Sequence, residues 1–306
     1  MRLVTRSDFD GLVCAVLLKE INIIDDYHFV HPKDMQDGKI TISKDDVLAN
    51  VPYVDGCGMW FDHHTSEDNR LKDRQFQFEG AYQPAKSAAQ VIWDYYGGEK
   101  RFGEHLLSLL EAVNKTDSGD LTEEEILYPT GWILLSFIMD ARSGLGRFKD
   151  YRISNHQLMQ EMVEYCRTMP PELITTKDDI QERVVRYFDQ QEQFVLMMQR
   201  CSKTRKNVIV SNLLSEETIY SGNRFVIYAI FPEQNVEVRV MWGRDRQNIV
   251  FACGHSILNR TCKVNIGKLM LAYGGGGHEK VGTCQVPLEG WEKRLKEIVT
   301  ALQQKK

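Results

Sequence analysis

The sequence predicts an α/β protein in two parts: a parallel-sheet domain with a helical segment, joined to a smaller α/β domain built on a mixed sheet. Three observations predict it. Strand-like and helix-like runs alternate through Tyr96, apolar residues take helical spacing from Phe102 to Arg200, and four strand-like runs follow Lys203. A length of 306 residues suits two domains. The expected division is 1–176 for the first domain, 177–203 for a connector helix and 204–306 for the second domain.

Met1–Thr5 is a short β-prone run, and Gly11–Glu20 follows as an apolar helix. Tyr27–His31, Asp46–Asn50 and Gly58–Phe61 read as the next three strands, and Gln83–Tyr96 as a helix. In the middle segment Leu106, Leu109, Leu110 and Val113 share one helical face, as do Trp132, Leu135 and Met139, until Pro170-Pro171 interrupts. Lys177–Cys201 carries Ile180, Val184, Phe188, Phe194 and Met198 at helical spacing, as a connector or as a helix packed on the first domain. Asn207–Leu213, Arg224–Phe231, Val236–Trp242 and Ile249–His255 read as strands of the second domain. Ile266–Tyr273 and Trp291–Gln303 read as its helices.

Composition narrows the function classes. Hydrophobic content of 42% and charged content of 26% are ordinary for a globular protein. A net charge of −5 disfavours a general binder of long nucleic acid. The longest apolar runs are too short to span a bilayer, and the N-terminal residues lack the pattern of a secretory signal. The seven cysteines (14, 57, 166, 201, 253, 262 and 284) form no CxxC pair and suit reduced thiols in a cytoplasmic protein.

Acidic and imidazole groups gather where the predicted parallel strands end, which is where ligands bind in such sheets. Asp8-Phe9-Asp10-Gly11 sets two carboxylates on alternate residues ahead of a helix, a pattern that serves adjacent divalent cations or a helix cap. Asp62-His63-His64 follows the apolar run Met59–Phe61, a carboxylate and two imidazoles suited to manganese, iron or zinc. Asp117 stands at the end of a predicted helix as a further ligand or a solvated terminus. Gly274-Gly275-Gly276-Gly277-His278 lets backbone N–H groups approach phosphate closely, or forms a flexible turn. Ser256, Asn259 and Arg260 follow the last predicted strand and could hydrogen-bond a phosphorylated substrate, with Arg239, Arg244 and Arg246 as alternative basic residues. Ser87 reads as a helix cap.

The ordered set SDFDG (7–11), FDHH (61–64), KTD (115–117) and GGGGHEKVG (274–282) resembles the DHH phosphoesterase superfamily, in its branch with a DHH-associated C-terminal domain. That branch includes nanoRNase-type oligoribonucleases, cyclic-dinucleotide phosphodiesterases, RecJ-type exonucleases and exopolyphosphatase-like proteins. The resemblance implies two Mn²⁺ ions (or Mg²⁺) activating a water for attack on phosphorus. It places Asp8 on one ion and Asp10, His63 and Asp117 on the other, with Asp62 and His64 beside them as catalytic residues. It also implies that Gly275, Gly276, Gly277 and His278 face substrate from the second domain, and that the protein is a homodimer. Two positions depart from the family pattern: Val4 stands where many members have histidine, and Asn50 where a bridging carboxylate is expected. Asn50 leaves a single ion as the alternative unless Asp46 or Asp55 supplies the charge.

The function expected is divalent-metal-dependent hydrolysis of short oligonucleotides, dinucleotides or related small nucleotides. The alternatives are hydrolysis of inorganic polyphosphate, or a nucleotide-binding regulatory protein with a degenerate metal site.

Overall fold

The computed structural model describes residues 1–31, 34, 35, 37–64 and 78–303. Spatial contacts divide the chain into two units, 1–120 with 129–186, and 121–128 with 187–306.

The first unit is built on a five-stranded sheet of β1 (Arg2–Arg6), β2 (Asp26–Val30), β3 (Asp46–Ala49), β4 (Met59–Asp62) and β5 (Glu79–Tyr82). Their spatial order is β2-β1-β3-β4-β5, and every pairing is parallel. Residues 50–58 join β3 to β4 without a helix. Trp60 fills the space beneath this connection. Its ring stacks on Tyr82 at 5.3 Å, and its Nε1 donates to the Val51 carbonyl. The strand β5 has no counterpart among the sequence expectations, because Glu79-Gly80-Ala81-Tyr82 carries little β propensity.

The helix α1 (Phe9–Glu20) is apolar around its whole circumference, and Phe9 to Leu18 are buried. It packs against α2 (Ala88–Tyr95), α3 (Leu107–Ser118) and, later in the chain, α5 (Asn155–Thr168). An all-round apolar helix has no solvent face, and enclosure by neighbouring helices resolves that. Between these elements lies α4 (Gly131–Met139). Gly11 is required at the start of α1, since a Cβ there would lie 2.0 Å from the Arg6 carbonyl oxygen.

The long helix α6 (Asp178–Cys201) buries Ile180, Tyr187, Phe194, Met197 and Met198, whereas Phe188, expected on its apolar face, is exposed. The division between the units falls within it.

The second unit holds a six-stranded mixed sheet: β6 (Ser202–Arg205), β7 (Val208–Asn212), β8 (Val236–Trp242), β9 (Ile249–His255), β10 (Gly276–Gly277) and β11 (Val281–Val286). The order is β10-β11-β9-β8-β7-β6, with β7 and β8 parallel and the remaining pairs antiparallel. Val236, Val238, Val240, Phe251, Ile298 and Leu302 form its core. One expectation is corrected here. Arg224–Phe231, which its Phe, Val and Ile content marks as a strand, contains the helix α7 (Val226–Ile230). The parallel pairing of β7 with β8 demands a crossover connection, and this segment supplies it. Two longer helices of this unit are α8 (Ile266–Leu271) and α9 (Trp291–Leu302). Among the described residues, no helix is long and apolar enough to cross a membrane.

Candidate metal centre

The carboxyl ends of β1, β3 and β4 bring together residues that are far apart in sequence. Asp8 lies just past β1 and caps α1, its Oδ1 accepting from Gly11 N at 3.0 Å. Asp10 sits two residues further on, in the first turn of α1, 2% exposed. Its carboxylate accepts hydrogen bonds from the N–H groups of Ala88 (2.8 Å) and Ala89 (2.9 Å), the first residues of α2. A helix N-terminus thereby orients the Asp10 carboxylate. Ser87 caps the same helix, as expected, accepting from Gln90 N and donating to Asn114. Asp117 projects from the last turn of α3.

His63 closes the group. Its Nδ1 lies 3.2 Å from the Ala85 carbonyl oxygen, which can only accept, so Nδ1 carries the proton. In the neutral ring the Nε2 lone pair faces Asp117 Oδ2 at 3.4 Å and Asp10 Oδ2 at 3.7 Å. Nε2 is buried and has no hydrogen-bond partner. A lone pair turned toward two carboxylates is repulsive as it stands. A cation placed among them turns all three into ligands, and the carbonyl behind Nδ1 is the outer partner that metal-binding histidines commonly have. One nitrogen and two carboxylate oxygens suit a divalent cation such as manganese or magnesium. Asp10, His63 and Asp117 all have ligand atoms within 4.8 Å of one another, as do Asp62, His63 and His64.

The electrostatics agree with this reading. Burial, then the nearby Asp8 charge, pushes the Asp10 carboxyl up to about 7 despite its two N–H donors. Burial, then the Asp10 charge, does the same to Asp117, also to about 7, with His63 opposing. These carboxyls resist ionisation until positive charge arrives. His64 behaves in the opposite way. Burial works against its charge, but the Asp62 hydrogen bond at 2.7 Å and the surrounding carboxylates raise it to about 9. Asp62 also accepts from His63 N, so a single buried carboxylate orients both histidines.

Asp8 is placed differently. Its Oδ1 accepts from Asn50 Nδ2 at 2.9 Å, and its Oδ2 pairs with Arg6 Nε at 2.9 Å. Asp46 does not supply the missing carboxylate. It begins β3, at the opposite end of the strand from Asn50, and is held by Arg2 Nε (2.7 Å) and Ser43 N (2.7 Å). Val4 is fully buried within β1.

Two basic residues near this centre escaped the sequence analysis. Arg6 is the last residue of β1, where it reads only as part of a strand. Arg142 follows α4 and is fixed by Asp140 through Nε at 2.8 Å. Burial opposes its charge, but Asp140, and beyond it Asp8 and Asp117, hold the guanidinium above its ordinary range. No motif marks either residue.

The expected substrate-binding residues all lie in the second unit. Gly275 and Gly277 are fixed by packing against β11: a Cβ would lie 2.0 Å from Thr283 O at the first and 2.3 Å from Val281 O at the second. Gly276 has open space where its Cβ would be, so its backbone remains approachable. His278 N donates to Val281 O, and Val281 is exposed. Ser256 is buried and accepts from Leu258 N and Asn259 N in a turn. Asn259 donates to Glu233 O, and Arg260 Nε donates to Ile257 O from an exposed side chain. Of the alternative basic residues, Arg239 pairs with buried Glu237, and Arg244 is exposed beside Asp245.

No family profile matches the chain, and no curated protein sequence does. Solved structures do. A pGpG-specific phosphodiesterase from Vibrio cholerae is 47% identical, with TM-score 0.85 and 98% of each chain covered. An exopolyphosphatase-related protein from Bacteroides fragilis matches at 13% identity and TM-score 0.52, over 98% of this chain and 91% of that one. RecJ from Thermus thermophilus in complex with Mn²⁺ matches at 10% identity and TM-score 0.50, over 98% of this chain and 52% of that one. The last two share the fold alone. With the motifs in order along both units and a relative at 47% identity over nearly its full length, the chain belongs to the DHH phosphoesterase superfamily.

Proposed function

We propose that this phosphoesterase hydrolyses the internal phosphodiester of pGpG, a linear dinucleotide, using a divalent cation. The observation that carries the chemistry is the buried His63 Nε2 facing Asp10 and Asp117 without a hydrogen-bond partner. The similarity to a pGpG-specific phosphodiesterase supports the substrate. Asp10, His63 and Asp117 hold the cation, which when bound supplies Lewis acidity toward water and phosphoryl oxygen. His64, oriented by Asp62 and raised to about 9, carries a proton at neutral pH. It serves as the donor to the leaving ribose oxygen or as a charge partner for the phosphate. Arg142, fixed by Asp140, adds a guanidinium suited to phosphate oxygens. The second unit offers candidate phosphate contacts of its own, the approachable backbone of Gly276 and the neighbouring His278.

Manganese is the cation we favour, because the mixed nitrogen and oxygen donor set suits it. The family resemblance supports a homodimer, and the seven free cysteines suit a reducing cytoplasm. Purified protein with Mn²⁺ should convert pGpG to GMP and leave cyclic dinucleotides and polyphosphate intact. Preferential hydrolysis of polyphosphate, or nucleotide binding without turnover, would overturn the reading.

A further inference from the structure

The second ion expected from the family pattern needs free oxygens on Asp8 and an anionic bridge beside it. Neither is seen among the described residues. Asp8 Oδ1 already accepts from Gly11 N and Asn50 Nδ2, and Oδ2 already pairs with Arg6 Nε. The contact settles the orientation of the Asn50 side chain. A carboxylate only accepts, so the Asn50 amide must present its NH₂, not its oxygen, toward Asp8. The Asn50 backbone is held as well. It adopts a left-handed conformation (φ 54°) tolerated by asparagine, and its N–H donates to Phe61 O at 3.1 Å. A cation approaching Asp8 would therefore meet an amide NH₂ and a guanidinium. Across the site, Asp10, His63 and Asp117 present the opposite environment, with a buried, unpartnered nitrogen between two carboxylates.

We propose that the centre holds one divalent cation, on Asp10, His63 and Asp117, and that Arg6, paired to Asp8 and backed by Asn50, stands in place of a second. The proposal rests on the phosphoesterase reading above. The guanidinium supplies a fixed positive charge where Asp8 would otherwise recruit metal. Its Nε pairs with Asp8, and its side chain is 39% exposed, which leaves the end of the guanidinium within reach of a phosphate.

The test is the number of ions bound, not turnover. The metal-stripped wild-type protein is titrated with Mn²⁺ by calorimetry, and the loaded protein is examined by electron paramagnetic resonance. One Mn²⁺ per chain, with the spectrum of an isolated ion, is the expected result. Two ions per chain, with a spin-coupled pair, would overturn the proposal, and so would none. Asn50→Asp combined with Arg6→Gln restores a bridging carboxylate and frees Asp8, and is expected to take two ions. Should the double variant fold and still bind one, the roles assigned to Arg6 and Asn50 are wrong. If that pair fails to fold, the wild-type count decides the proposal by itself. Hydrolysis of pGpG is read on the same samples. One bound ion without pGpG turnover would refute the substrate and leave the ion count intact.

Discussion

Replacing Asp10 with asparagine separates the cost of the metal centre from its use. The Asp10 carboxyl is 2% exposed, and its rise from 3.8 to about 7 corresponds to about 4 kcal/mol against the ionised folded protein at about pH 8. Asparagine removes that charge at nearly constant volume. It keeps one oxygen for the N–H of Ala88 or Ala89 and turns its NH₂ toward the other, at a cost of about 1–3 kcal/mol. In chelator at about pH 8, Asp10→Asn should therefore be more stable than wild type by about 1–3 kcal/mol. The sign follows from the direction of the shift. The folded-state pKa lies above the unfolded value, so the wild-type penalty is absent below about pH 4, grows toward about pH 7 and is constant above it. The advantage of the variant should shrink accordingly in acid. With Mn²⁺ the order reverses, because the wild type gains binding energy and the variant has lost a ligand. Urea unfolding with and without Mn²⁺ at two pH values measures each quantity. A variant less stable than wild type in chelator at about pH 8, or equally stabilised by Mn²⁺, would refute the reasoning.

Three further outcomes are expected. Asp46→Asn should lose about 1–3 kcal/mol in urea unfolding near neutral pH through its bonds to Arg2 and Ser43, with Mn²⁺ binding unchanged. Burial opposes the Asp46 charge, but those bonds hold its carboxyl below 3.8, so the stability it contributes is lost as the pH falls through that lowered value. Gly275→Ala should cost more than about 2 kcal/mol, because its Cβ would lie 2.0 Å from Thr283 O. Gly276→Ala has open space and should leave the melting temperature unchanged while raising KM for pGpG, and an unchanged KM would remove Gly276 from the substrate contacts. Arg142→Ala should lower kcat/KM by about tenfold or more without altering the number of bound ions, whereas a lost ion would assign it a structural role.

The site was legible in the sequence where its chemistry is local. Asp8 and Asp10 lie on one strand-to-helix turn, and Asp62, His63 and His64 are contiguous, so residue type and spacing, read together with the family resemblance, marked them as candidates. Asp117 was legible for a similar reason, standing in the last turn of an amphipathic helix. The second sheet was harder to read. Val281–Val286 contains a glycine and alternates weakly, and Arg224–Phe231 reads as a strand although it is the crossover helix. Phe225, Val226, Ile227 and Tyr228 are all buried, so tertiary packing, not the segment's own pattern of residues, decides the form of Arg224–Phe231.

What the sequence by itself determined is the fold class, the order of the ligand-bearing motifs and the presence of asparagine at position 50. Periodicity and residue chemistry act over a few residues, and they suffice for these. The tertiary structure decided what Asn50 does. The spatial order β2-β1-β3 sets β3 directly beside β1, so Asn50 meets Asp8 from 42 positions away, while Arg6 closes on the same carboxylate from its own strand. It also decided the state of His63, through a carbonyl 22 positions distant, and the orientation of Asp10, through a helix N-terminus 78 and 79 positions distant. Such contacts depend on which strands and helices become neighbours, and no local pattern encodes that.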